Sequence, residues 1–281
     1  MIRNFKIFIQ HLLKSEILRN ASILISGTVL AQVISIILQP LLRRYFPPEA
    51  FGLLSVYLSI VGIVLVISTL RYDDAIVLPG KDKESANLLV LSLIFSFSIN
   101  LVLFLIVLIW GDHIVEFINL PKNFSSKILY IIPLSVFLYN VYQSFNYWLV
   151  RKKRYYAVSA NKLIRRITEG FAQLFFAFMK NIKGMVYGDV IGQLSNVVTV
   201  VIQSFRNGFR FQTISSIKLK YVAKKYSEFP KYSLIPAFMS ACSYSLPALF
   251  ISKYYSIENT GFFDTSKYLL SIPLALVASS L

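Results

Sequence analysis

The chain has 281 residues, of which 56% are hydrophobic and only 15% charged, with a mean hydropathy of +0.63. Those values exclude a disordered chain and an ordinary water-soluble domain. The net charge of +16 does not point to nucleic acid, because the basic residues fall mainly in alternate segments between apolar runs, a distribution set by membrane orientation. Cys242 is the only cysteine, so no intrachain disulfide can form. His11 and His113 are too isolated to indicate a metal site.

In chain order, residues 1–21 intersperse Arg3, Lys6, Lys14 and Arg19 with Ile2, Phe5, Phe8, Ile9, Leu12, Leu13 and Ile17 at roughly helical spacing. That pattern predicts an amphipathic segment lying on the cytoplasmic membrane surface. Five runs then stand out, at residues 20–42, 50–70, 85–111, 128–150 and 232–252. None contains Lys, Arg, Asp or Glu, and each reaches the roughly 20 residues needed to cross about 30 Å of hydrocarbon as a helix. Seven spans are predicted, at 22–42, 51–70, 88–110, 128–150, about 163–179, about 184–204 and about 233–252. An eighth begins near Tyr268 and is still apolar at Leu281. The chain is therefore expected to be part of a longer protein.

Nineteen Lys and Arg residues fall on the side shared with the N-terminus and eight on the other. The positive-inside rule places the N-terminus in the cytoplasm. Four regions follow: the surface segment 1–21, a first lobe of six spans over 22–205, a basic cytoplasmic linker over 206–231, and the start of a second lobe over 232–281. The turn after span 1, from Arg44 to Leu54, matches the turn after span 7, from Lys253 to Phe263, at a constant offset of 209. A basic residue, an aromatic pair, a Glu, a Gly and an apolar pair all coincide. The match reads either as two similar helix starts or as an internal repeat in parallel orientation, an architecture in which the transport path lies between the lobes.

Ionisable groups in or beside spans are costly and mark candidate sites. Arg43 and Arg44 end span 1, where guanidiniums suit either phosphate binding or snorkelling to the outer interface. Arg71, Asp73 and Asp74 follow span 2 as a mouth cluster or a solvated loop. Arg165, Arg166 and Glu169 lie at i, i+3 and i+4 spacings in span 5, and Gln173 continues the stripe. That stripe implies either a water-filled interior or an inner-interface anchor. In span 6, Gly184, Gly188 and Gly192 make a small-residue face for close helix packing. Asp189 beside it is, with Glu169, a candidate for ion coupling. Pro236 and Pro247 predict a kink in span 7. No phosphate-binding Gly-rich loop is present, and no loop is long enough to form a catalytic domain.

Gln32 in span 1 is followed by the turn Arg44-Tyr45-Phe46-Pro47-Pro48-Glu49-x-Phe51-Gly52. After span 2 comes Leu70-Arg71-Tyr72-x-x-Ala75-Ile76-x-Leu78-Pro79, and span 6 carries Gly-x-x-x-Gly-x-x-x-Gly. Together these resemble bacterial polysaccharide-biosynthesis membrane proteins, the Wzx-type repeat-unit flippases of the MOP (MATE-like) superfamily. The resemblance implies an all-α bundle of two six-helix lobes around a central cavity. It also implies translocation of an undecaprenyl-pyrophosphate-linked oligosaccharide across the inner membrane, for O-antigen, capsule or exopolysaccharide. Arg43, Arg44, Arg71, Arg165 and Arg166 would then neutralise the pyrophosphate. No cofactor is expected, with proton or sodium coupling through Glu169 or Asp189. Membrane lipids and the polysaccharide polymerase machinery are the remaining candidate partners. The alternatives are a cation-coupled multidrug exporter of the same fold, which should prefer an acidic cavity, and a glycan polymerase or ligase, which should need longer external loops.

Overall fold

A computed structural model describes residues 16–118 and 125–278, so residues 1–15 of the surface segment expected over 1–21 lie outside the described residues, and 16–21 continue into the first helix. The described residues form nine α-helices and no strands: α1 Glu16–Tyr45, α2 Pro48–Ser68, α3 Asp82–Ile118, α4 Ser125–Arg151, α5 Tyr155–Phe178, α6 Gly184–Arg206, α7 Ser216–Lys225, α8 Leu234–Tyr254 and α9 Ile257–Ala278. Six of them, all but α5, α7 and α9, are long and apolar enough to cross a membrane. Apolar side chains such as Ile37, Phe97, Leu108 and Phe178 are more than half exposed on the outside of the bundle. That is the surface a hydrocarbon solvent requires, since lipid rather than water is its partner. The fold is an all-α, multi-pass membrane bundle.

The interior is layered. At one end an apolar core gathers Leu88, Leu89, Phe145, Trp148, Leu149, Val158, Val200 and Val222 from α3 to α7. At the other, Leu53, Val56, Val61, Val107, Ile128, Ile132 and Val186 join α2, α3, α4 and α6. Between α2, α3 and α4 runs a seam of buried polar groups. Asn140 donates through Nδ2 to Ser68 Oγ at 2.5 Å and to Ser96 Oγ at 2.8 Å, and Ser92 and Ser144 share a bond of 3.0 Å. Such groups are tolerated inside a membrane bundle because each finds a partner on a neighbouring helix.

Two elements differ from the sequence expectation. α9 starts at Ile257, eleven residues before Tyr268, and its charges are absorbed by neighbours. Asp264 faces Arg43, and Lys267 lies 3.3 Å from the centre of the Tyr244 ring. Hydropathy registers those charges but not their partners. The span expected at about 163–179 is the second. α5 covers those residues but is not among the helices apolar enough to cross, because Arg165, Arg166 and Glu169 lie on it, while α7 of the basic linker packs against α3.

The turn similarity at offset 209 extends to the helix boundaries. α1 and α8 end at Tyr45 and Tyr254, and α2 and α9 begin at Pro48 and Ile257. Pro47 and Pro48 set the first turn of α2, with Glu49 at its positive end. α2 and α9 cross at their starts through two glycines. A Cβ on Gly52 would overlap the carbonyl oxygen of Ile257, and one on Gly261 would overlap that of Pro48. The contact is reciprocal, since 48 and 257, like 52 and 261, are equivalent positions. Such a reciprocal crossing is the contact that the internal-repeat reading of the turn match expects.

Candidate functional site

α5 has two unlike faces. Ile167, Phe171, Phe175 and Phe178 are 43–71% exposed on the outside, whereas Lys162, Arg165, Arg166, Glu169 and Gln173 recur at three- and four-residue intervals on the inside. α6 meets that inner face with its glycines. A Cβ on Gly192 would lie 2.8 Å from Glu169 Cβ and 3.3 Å from the Arg165 carbonyl, one on Gly188 would lie 3.0 Å from the Gln173 backbone nitrogen, and Gly184 abuts Phe176. The small-residue face thus brings α6 against the most polar stretch of α5, and this close approach places Asp189 beside Arg165.

Asp189 is 2% exposed and fully engaged. Its Oδ2 accepts from the Tyr57 hydroxyl at 3.0 Å, and its Oδ1 lies 3.2 Å from Arg165 Nη2 and 3.1 Å from the Tyr139 hydroxyl. The Tyr139 oxygen also accepts from Arg165 Nη2 at 2.7 Å, and the guanidinium sits over the Tyr139 ring at 4.9 Å. Gln193, with its amide oxygen turned to this cluster, accepts from Arg165 Nη2 at 2.6 Å and faces the Tyr139 hydroxyl at 2.8 Å. Tyr139 has one proton, so it can donate to Asp189 or to Gln193 but not to both at once. One turn away Arg166 pairs with Glu169 at 3.0 Å, and Gln173 Nε2 reaches Glu169 Oε1 at 3.4 Å and the Met185 carbonyl at 3.3 Å. Arg165, which could have paired within its own helix to Glu169, reaches across to α6 instead.

Tyr139, Arg165, Arg166, Glu169 and Asp189 line an open cavity of about 380 Å³ between α1, α2, α4, α5 and α6. Thr28, Gln32 and Ser35 supply hydrogen-bonding groups from α1, and Lys162, Arg165 and Arg166 face two carboxylates, so the wall is net cationic. A second cavity of about 370 Å³ shares Arg166 and Glu169 and extends along Ser55, Ser59, Tyr244, Asp264, Lys267 and Tyr268 toward α8 and α9. Such an arrangement can take an anionic, hydroxyl-rich molecule: fork-shaped donors suit phosphate oxygens, and amide and hydroxyl groups suit sugars. Among the described residues no group of three or more His, Cys, Asp or Glu is placed to hold a metal ion.

The other arginines lie apart from this cluster. Arg43 bonds Thr265, faces Asp264 at 3.8 Å and lies 4.3 Å over the Phe51 ring, which ties α1 to α9. Arg44 is exposed at the periphery near Phe178 and Lys180. Arg71 sits in the turn after α2, where Leu70 and Arg71 both take positive φ (50° and 61°), and pairs with Asp74 at 2.5 Å. Asp73 in the same turn is buried, which pushes its carboxyl above the ordinary range against the opposing hydrogen bond from Thr69. Sequence reasoning passed over Tyr57, Tyr139, Lys162, Gln193 and Asn196. The stripe Asp189, Gln193, Asn196 at i, i+4, i+7 was a readable signal on α6, whereas the two tyrosines look like any aromatic in a span.

No curated protein matches the chain. Among solved structures it is similar to one described as the inward-facing conformation of a multidrug resistance MATE family transporter of the MOP superfamily. The TM-score is 0.60 at 12% identity, with 92% of this chain and 58% of that one covered, so the chain spans a little over half the length of the structure it matches. That likeness establishes the fold. The polysaccharide biosynthesis protein family matches residues 41–281, from the end of α1 through the cavity helices to α9. The chain belongs to the polysaccharide biosynthesis protein family.

Proposed function

We propose that the protein containing this chain is a flippase. It moves an undecaprenyl-pyrophosphate-linked oligosaccharide from the cytoplasmic to the outer leaflet of the bacterial inner membrane by alternating access, with the N-terminus inside. The observation that carries this reading is the net-cationic, hydroxyl- and amide-lined cavity built on α5 and α6, together with the family. Lys162, Arg165 and Arg166 face the diphosphate, the polar α1 face and the second cavity take sugar hydroxyls, and the isoprenoid stays in lipid. Asp189 and Glu169, each held by an arginine, are the groups through which proton or sodium movement is coupled. A phosphate competing for Arg165 or Arg166 releases its carboxylate to take up a cation. A drug exporter for organic cations is disfavoured by three cationic side chains on the wall. Polymerase components that consume the translocated unit are the partners this role implies.

The test is a strain deleted for the gene, complemented with the full-length protein. Restored surface polysaccharide and outer-leaflet exposure of the lipid-linked unit are expected. Replacing Lys162 with Gln, and Arg166 together with Glu169 with Gln, removes cavity charge while sparing the Arg165–Asp189 pair. Translocation should fall at least tenfold at normal protein level. Exposure of lipid-linked units that continues unchanged in the deletion strain would overturn the role, and wild-type rates in the cavity variants would overturn the site.

A further inference from the structure

Residues 204–231 run from the last turn of α6 almost to α8, both long and apolar enough to cross a membrane, so the segment lies at one membrane face. It carries seven basic residues and a single acid, Glu228. Its seat on the bundle is fixed. Phe209, 1% exposed, packs edge-on against Phe145 and Trp148, and Asn87 donates to the Thr213 carbonyl and accepts from the Ser215 backbone N–H. On α7, Leu219, Val222 and Ala223 face the apolar core. Lys225 is the one lysine of α7 drawn to the bundle, 2.7 Å from Glu84.

The opposite side of α7 is unlike an ordinary solvated helix face. Ile217 is 81% exposed and Tyr221, one turn on, 54%. Lys218, Lys220 and Lys224 flank them, also exposed, and Phe211 just ahead of the helix is 59% exposed. An apolar stripe between lysines, on a helix held at the end of membrane spans, matches the headgroup boundary of an anionic leaflet. The rings and the isoleucine enter the acyl edge while the ammonium groups meet phosphates.

We propose that this outer face of α7 is a binding surface for acidic phospholipids, seated on Ile217 and Tyr221 and held by Lys218, Lys220 and Lys224. It does not depend on which substrate the cavity takes. The full-length protein carrying Cys242→Ser and Ile217→Cys, labelled with an environment-sensitive fluorophore, tests it. The protein is reconstituted in vesicles of phosphatidylcholine alone or of equal parts phosphatidylcholine and phosphatidylglycerol. Brominated acyl chains should quench the probe strongly in the phosphatidylglycerol vesicles and much less in phosphatidylcholine, and added salt should weaken the difference. Each Lys→Gln change at 218, 220 or 224 should lower the docked-to-undocked ratio about fivefold, the worth of one basic residue near an anionic surface. Lys225 pairs with Glu84 and lies 5.5 Å from the Tyr221 ring, so Lys225→Gln should lower the ratio less than any of the three. Quenching by aqueous iodide that is equal in both vesicle types would overturn the proposal and leave the face open to a protein partner.

Discussion

Arg165 in the middle of α5 and Arg43 near the end of α1 each lie over an aromatic ring and face an aspartate on another helix. The distances are 4.9 Å to Tyr139 and 3.2 Å to Asp189 in one case, and 4.3 Å to Phe51 and 3.8 Å to Asp264 in the other. They differ in how fully the pair is closed off. Asp189 retains 3% of its side-chain surface and, besides Arg165, accepts from the Tyr57 and Tyr139 hydroxyls, whereas Asp264 retains 32%. The Arg165 pair is thus an internal part of the cavity wall. The Arg43 pair is a partly exposed tie between α1 and α9. The same chemistry closes off a buried carboxylate in one place and ties two helices together at a more exposed point in the other.

The largest effect should come from breaking the closed pair. Arg165→Ala leaves Asp189 buried without its cation and should cost about 3–5 kcal/mol, read as a fall in Tm in detergent. Arg165→Ala with Asp189→Ala should recover part of that loss. A neutral single variant would mean that Asp189 does not rely on Arg165. Next come the glycines of the crossing that Arg43 flanks. Gly52→Ala and Gly261→Ala each set a methyl against a backbone carbonyl that no rotamer can move, and each should cost roughly 1–3 kcal/mol. Equal losses support the two-fold relation, and a large inequality breaks it. Arg43→Ala should cost only about 1 kcal/mol, given the exposure of its pair. Asp264→Ala added to it should change little more, a coupling measured by a double-mutant cycle. Arg44→Ala, at the exposed periphery, should stay within about 0.5 kcal/mol.

Much of the bundle was legible because lipid imposes a simple rule. Uncharged stretches of about 20 residues mark α1 to α4 and α8 with their ends displaced by a few residues, and α6 reads as a span despite Asp189. α5 was legible for the opposite reason, as its charges recur on one face only. α9 was misplaced because Asp264 and Lys267 register as interruptions when their partners, Arg43 and Tyr244, lie far away in the sequence. The site was half legible. Helical spacing brings Arg166 to Glu169 because both sit on one helix. It cannot say that Arg165 turns to Asp189, since that depends on how closely Gly188 and Gly192 let α6 approach. Tyr57 and Tyr139 were invisible for a related reason: a phenol gives no sign of function until a carboxylate is found beside its hydroxyl.

The plug formed by Phe209 has a mechanical consequence. From Phe209 to Lys225 the connection is fastened to the first bundle by the aromatic cluster, by Asn87, by the Tyr72 hydroxyl donating to the Ala223 carbonyl at 3.0 Å, and by the Glu84–Lys225 pair. The connection over residues 207–233 therefore has a short free length. Any swing of α8 relative to α6 must be absorbed beyond Tyr226, where the chain takes a π-helical turn over Phe229–Ser233 that includes Pro230. Such a turn interrupts the regular ladder of helix hydrogen bonds, so bending there disturbs few of them. From Phe209 to Lys225 the linker is a bracket on the bundle, and its most easily bent stretch is that one turn.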